Sequence, residues 1–159
     1  MTRKKSKYKP RGVRLDAVQW VLNGFKPVSA TGSAVLNLKL QNHSALEALR
    51  TGQAKRHDID SIISALNVSE ALSRIGIGDD YAKEIKDSQD ALLALSRRGI
   101  ERGDRFVAKA SEYFAINYAM ELHDAQLDIT TIAELEKALD MVVAEIKSHR
   151  ARTIEEKVA

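Results

Sequence analysis

The 159-residue chain has no cysteine, which excludes disulfides, thiolate metal sites and a cysteine nucleophile. It has two prolines and eight glycines, and only 5% of its residues are aromatic. Such a sparse supply of turn residues and rings argues against an all-β sandwich. No apolar run approaches the roughly 18–20 residues of a membrane span, and the charged start lacks the apolar stretch of a signal peptide. A soluble, cytoplasmic protein with no membrane partner is expected.

Catalytic signatures are missing too. No serine stands in G-x-S-x-G, and His43, His57, His123 and His149 lie in dissimilar contexts. Gly76-Ile77-Gly78 lacks the other glycines and the lysine of a phosphate loop. Glu121, His123, Asp124 and Asp128 match neither H-E-x-x-H nor a di-iron pattern, because His123 is offset by about 100° from either neighbour. They read as a solvated helix face or as carboxylates salt-bridged within the helical body. No enzyme, cofactor or metal is expected.

What is present is helical periodicity and an uneven charge. The net charge is +3, yet residues 1–14 hold seven cations (Arg3, Lys4, Lys5, Lys7, Lys9, Arg11 and Arg14) and no acid. From Leu15 onward, 18 basic side chains face 22 acidic ones, a balance of −4. The basic character therefore belongs to an arm and not to the body. Like charges, Pro10 and Gly12 predict that residues 1–14 are disordered or extended.

The body, residues 15–149, reads as all-α, a compact helical bundle of five to seven helices, with a frayed tail over 150–159. A first helix is expected from Asp16 to Asn23, stopped by Gly24. Leu36, Leu38 and Leu40 alternate with Asn37 and Lys39, a period-two strand pattern. No partner strand is visible, so a helix or an extended connector is favoured there. Ser44 and Glu47 form a capping box that predicts a short helix ending near Arg50. The next helix begins at Asp58 or Asp60 and runs through Ile59, Ile62, Ile63, Leu66 and Leu72 to Gly76. Another runs from Asp79 to Arg98, closed by Gly99, and is followed by a polar connector, Ile100–Asp104. A helix from about Ser111 to Leu127 follows. The last is opened by the Thr131–Glu134 capping box and reaches about His149.

Two groups suggest contact with phosphates. In the arm, Tyr8 lies between Lys7 and Lys9, so cations could neutralise phosphates while the ring stacks on an unpaired base. Arg97, Arg98, Arg102, Arg105 and Lys109 form a second cluster, with Arg50, Lys55, Arg56 and His57 as a weaker third. Arg97 and Arg98, at a helix end, are more simply read as complementing the macrodipole and the last carbonyls, and the cluster extends a phosphate-binding surface only if the arm lies nearby. The arm could also be a solubility tail or dock on an acidic protein. Arg102-Gly103-Asp104 spells an integrin tripeptide, read here as chance. Among Tyr113, Phe114, Asn117, Tyr118 and Met120, one ring is expected at a surface or oligomer interface.

Several stretches together resemble small all-helical accessory proteins of tailed bacteriophages and prophages. They are Lys7–Arg14, Asp58–Asp60 with Ala65–Asn67 and Glu70–Leu72, Gln89–Leu93 with Arg97–Gly99, and Glu121–Asp128. The resemblance spans most of the chain and brings no catalytic motif. It implies a phage accessory protein that acts by binding in a bacterial host cytoplasm. The leading expectation is a DNA- or RNA-binding protein. Alternatives are an inhibitor or adaptor of a host defence or transcription machine, and a virion assembly component, which would form a large oligomer; a homo-oligomer is possible for the helical body in the leading reading too. A helix-turn-helix is disfavoured, because the helix after Gly78 opens on Asp79, Asp80 and Glu84, which would repel phosphate.

Overall fold

The computed structural model describes residues 24, 26–28 and 32–148, and among these the protein is all-helical. The expected basic arm, the helix over 16–23 and the tail over 150–159 lie outside the described residues. Five α-helices follow one another: α1 (Ser33–Arg50), α2 (Arg56–Arg74), α3 (Ala82–Glu101), α4 (Ala110–Ile129) and α5 (Ile132–Lys147). No strand occurs among the described residues, only an isolated antiparallel bridge between Pro27 and Thr131.

Helix α1 is one continuous helix, which resolves the ambiguity over Val35–Leu40 and corrects the start expected at Ser44. Its buried residues Asn42, Ala45, Leu46 and Leu49 recur at 3.6-residue spacing. The alternating Leu36, Leu38 and Leu40 are all exposed, so their period-two pattern buries nothing. A lone strand there would leave its ladder groups unpaired, whereas helix satisfies them locally. Ser44 sits exposed inside the helix, and Glu47 turns to Arg50, accepting from Nε at 2.7 Å and from a terminal nitrogen at 2.6 Å.

Helix α2 is the centre of the fold and packs against all four other helices. That position requires more than one apolar face, and Ile59, Ile62, Ala65, Leu66, Ala71 and Leu72 supply it. It starts at Arg56, slightly before the expected aspartates, and the Asp58 carboxylate accepts from the Lys55 N–H at 2.8 Å. It stops where Gly76 turns to φ 95°, with Ile77 N–H bonded to Leu72 C=O and Gly76 N–H to Ser73 C=O. This is a Schellman closure of the kind a glycine allows.

A single 3₁₀ turn, Asp79–Tyr81, leads into α3, which therefore begins later than Asp79. Gly99 does not close this helix. It lies buried within α3, and the reversal comes afterwards at Gly103 (φ 70°) and Asp104 (φ 65°). That reversal folds Phe106 back over Gly99, where the ring is 2% exposed. The connector is thus partly a core element.

Helix α4 lies against α1, α2 and α3. Gln126 ties it to the end of α2: its amide nitrogen donates to Ile77 C=O (2.7 Å) and Ser69 C=O (3.1 Å), and its oxygen accepts from the Ser69 hydroxyl (2.6 Å). The α4–α5 connector is pinned by residues 26–28, with Val28 N–H to Thr130 C=O and Ile132 N–H to Lys26 C=O. Helix α5 opens on the expected box: Thr131 Oγ1 accepts from Glu134 N–H and Glu134 accepts from Thr131 N–H. It packs mainly on α2, with Ala138 as its one buried residue among those described.

Candidate nucleic-acid interface

The C-terminal end of α1, the start of α2, the end of α3 and the start of α4 meet at one end of the molecule. Ala54 and Phe106, from the two connectors there, share the main core cluster. Arg56 Nε donates to Asp104 Oδ2 at 2.8 Å, across 48 residues of sequence. Arg50 lies close enough to Tyr113 for the two to interact electrostatically. The second and third basic groups of the sequence are thereby joined into one surface.

The cations on this surface are not equivalent. Arg98 is held by Glu112 through two bonds, at 2.9 and 2.6 Å, and by Val107 C=O at 3.0 Å. Glu112 also accepts from Lys109 N–H at 2.8 Å, capping α4. The Arg98 hydrogen bonds hold the Glu112 carboxyl below the ordinary range, against the opposing effect of burial, and Glu112 raises Arg98 in turn. Arg98 therefore braces the loop from inside. Lys55, Arg97, Arg102 and Arg105 are exposed and form no ion pair among the described residues, whereas Lys109, also exposed, lies close enough to Glu112 for its charge to help hold that carboxyl down. Asp104, the acid of the Arg-Gly-Asp tripeptide, is engaged by Arg56.

The arm residues Arg3, Lys4, Lys5, Lys7, Tyr8, Lys9, Arg11 and Arg14 lie outside the described residues. The polar group of α4 is dispersed among helix contacts. Asp128 accepts from Lys39 at 2.6 Å, Asp124 pairs with His43 at 2.6 Å, and Glu121 accepts from Asn117. Asp128 is thus salt-bridged and Asp124 bonded across helices, while Glu121 stands on a solvated face, so the group divides between the two arrangements expected for it. No group of three metal-ligating side chains occurs among the described residues. His123 is buried, and desolvation pushes it down to about 4, with Asp124 opposing and Lys39 assisting.

The aromatic stripe of α4 divides. Met120 is in the core and Tyr113 is partly buried, but Phe114 is 69% exposed and Tyr118 44%. The two exposed rings are one turn apart on a single face of the helix. The sequence predicted one outward ring, and the i, i+4 spacing is the signal that could have found both.

A cleft of about 250 Å³ between α2, α3 and α5 was not foreseen. Its walls include Leu66, Leu93, Met141 and Ile146, with Glu70, Arg74, Lys86 and Gln89 at the rim. These residues come from three helices, so no local motif signals the cleft. No helix among the described residues is long and apolar enough to cross a membrane. No family model matches the chain, and no curated protein or solved structure is significantly similar to it.

Proposed function

We propose that this chain is a phage-type accessory nucleic-acid-binding protein working in a bacterial cytoplasm. Its helical bundle serves as the platform, and the basic end together with the arm over residues 1–14 engages phosphates. The observation carrying this reading is the Arg56–Asp104 pair, which merges basic groups from two connectors into one surface. Four exposed cations that form no ion pair among the described residues, Lys55, Arg97, Arg102 and Arg105, belong to these groups. Phosphate contacts position a protein without specifying sequence, so binding is weakly selective and salt-steep.

The test is fluorescence anisotropy with labelled DNA and RNA at several salt concentrations. Five engaged phosphates would cost roughly 500-fold in duplex affinity between about 50 and 200 mM salt. Replacing Arg97, Arg102 and Arg105 together by Gln is expected to lower the salt slope by about 2.7, and removing residues 1–14 to lower it again. Absence of binding at about 50 mM salt would refute the proposal.

One observation supports a protein-binding adaptor or assembly role instead. Leu139, Val143 and Ile146 make an exposed apolar stripe on α5, at 44%, 46% and 56% exposure. Such a surface suits a host protein or a second copy, and light scattering distinguishes the latter by mass.

A further inference from the structure

We infer that the outward face of α4 is a docking strip for the chain's own basic arm, residues 1–14, and that nucleic acid has to displace the arm from it. The docking stands on its own observations, while the displacement rests on the phosphate-binding role proposed above. From the second turn of α4 onward its exposed residues are Phe114, Tyr118, Glu121, Ala125, Asp128 and Ile129. At 3.6 residues per turn they form one stripe along the helix, opposite the buried Ile116. The stripe holds two rings and two carboxylates, and α4 contains no lysine or arginine. Glu121 accepts from Asn117 and forms no ion pair among the described residues. The cations that α1 brings towards α4 are already engaged, Lys39 by Asp128 and Arg50 by Glu47.

Rings beside carboxylates, with no free cation among them, select a cationic occupant. A lysine or arginine lays its stem and charge against a ring face while a neighbouring carboxylate takes its head. A phosphate backbone would be repelled. The arm has the chemistry required, seven cations and no acid. It is also tethered at the right place. Gly24 lies so close to α5 that a Cβ there would stand 3.2 Å from that of Ala133, and Val28 and Lys26 are bonded to Thr130 and Ile132. The chain thus joins the body at the C-terminal end of α4, where Asp128 and Ile129 end the strip. Along the helix axis Glu121 lies about 13 Å and Phe114 about 24 Å from Thr130. The stretch from Gly24 back to Arg14 covers about 33 Å if extended and about 15 Å if helical, so Arg14 can come level with Phe114 or with Glu121 respectively. Such a tether holds the arm at about millimolar effective concentration, and a contact too weak for separate molecules then forms within one chain.

The experiment is nuclear magnetic resonance of the isotope-labelled full chain carrying a nitroxide on Ser6→Cys, a single site because the chain has no other cysteine. The amide signals of α4 between Phe114 and Ala125 are expected to broaden at about 50 mM salt and to recover at about 500 mM, where charges are screened within a few ångströms. Glu121→Lys and Phe114→Ser should each abolish the broadening. Both side chains are exposed, so the variants should fold, and far-UV circular dichroism checks that they do. Added oligo-dT or duplex should restore the signals of the wild type. In anisotropy, Phe114→Ser changes no charge, yet by releasing the arm it should tighten nucleic-acid binding about two- to fivefold, and only in chains that keep residues 1–14. Absence of broadening on α4 would overturn the docking, as would broadening that survives salt and both variants, since the tether alone would then explain it. Broadening between spin-labelled and isotope-labelled chains in a mixture would put the arm on a second copy and overturn it too. Broadening that persists while oligo-dT is bound would overturn the displacement. Failure of the wild type to bind nucleic acid would remove the phosphate role, with the docking still decided by salt and the two variants.

Discussion

Gly99→Ala reverses the sign that helix chemistry alone predicts. In an exposed helix interior the change stabilises by about 0.5–1 kcal/mol, because glycine loses more backbone freedom on folding. Here a Cβ would stand 2.2 Å from Cδ1, 2.6 Å from Cε1 and 3.0 Å from Cγ of Phe106. The obstacle is a ring 2% exposed, packed in the main core, and not the loose end of a long side chain. Overpacking of this kind costs about 1–3 kcal/mol, and expelling the ring would forfeit about 1.5–3 kcal/mol of burial. The net expectation is destabilisation by roughly 1–2 kcal/mol, which for a chain of this length lowers Tm by roughly 3–6 °C. Urea and thermal unfolding followed by circular dichroism measure it. Phe106→Ala supplies the control: it is itself destabilising by about 3–5 kcal/mol, but in that background Gly99→Ala becomes neutral or stabilising. A rise in Tm for Gly99→Ala in the wild-type background would refute the account, because the ring would then not lie over the helix.

Four other outcomes follow from the structure. His123 binds its proton near 4 when folded and at its ordinary 6.5 when unfolded, so stability falls as pH drops from 6.5 towards 4. The loss is up to about 3 kcal/mol, and urea titrations of His123→Met should lack that slope; an unchanged slope would assign it elsewhere. Glu112, held below its ordinary 4.5, contributes its stability above that value and loses it as pH falls through the lower folded one. Glu112→Gln should therefore cost about 1–2 kcal/mol at pH 7 and progressively less in acid, with a constant cost at every pH counting against the ion pair. Thr131→Ala removes the α5 cap and should cost about 1 kcal/mol while Thr131→Ser does not, as thermal melts can show. Asp104→Asn keeps a residue tolerant of φ 65° and removes the acid from the basic end. It should tighten nucleic-acid binding severalfold at low salt, and an unchanged Kd would place the contact surface elsewhere.

Where the apolar period is long and its caps are local, the sequence was sufficient. The α2 stripe with its Gly76 stop and the Thr131–Glu134 box both stand as read, because each depends on residues within a turn or two of one another. The all-helical class of the described residues followed from the same periods. Two local signals misled for the same physical reason. Ser44 and Glu47 have the chemistry of a helix start, but upstream residues continue the helix, so Ser44 is never at an end. Gly99 has the chemistry of a stop, but its missing side chain is used to admit Phe106.

The candidate site was legible only as separate basic groups. Nothing in the spacing of Arg56 and Asp104 says that they meet, and nothing separates Arg98, bound to Glu112, from the exposed Arg97 beside it. Burial of polar groups was equally hidden: Gln126 satisfies its amide with Ser69 and Ile77, while His123 is stripped of water next to an exposed Glu121 and Ala125. Secondary structure responds to neighbours along the chain, which the sequence displays. Which side chain is covered, paired or left to the solvent depends on what lies across from it, and that is decided only when the helices pack.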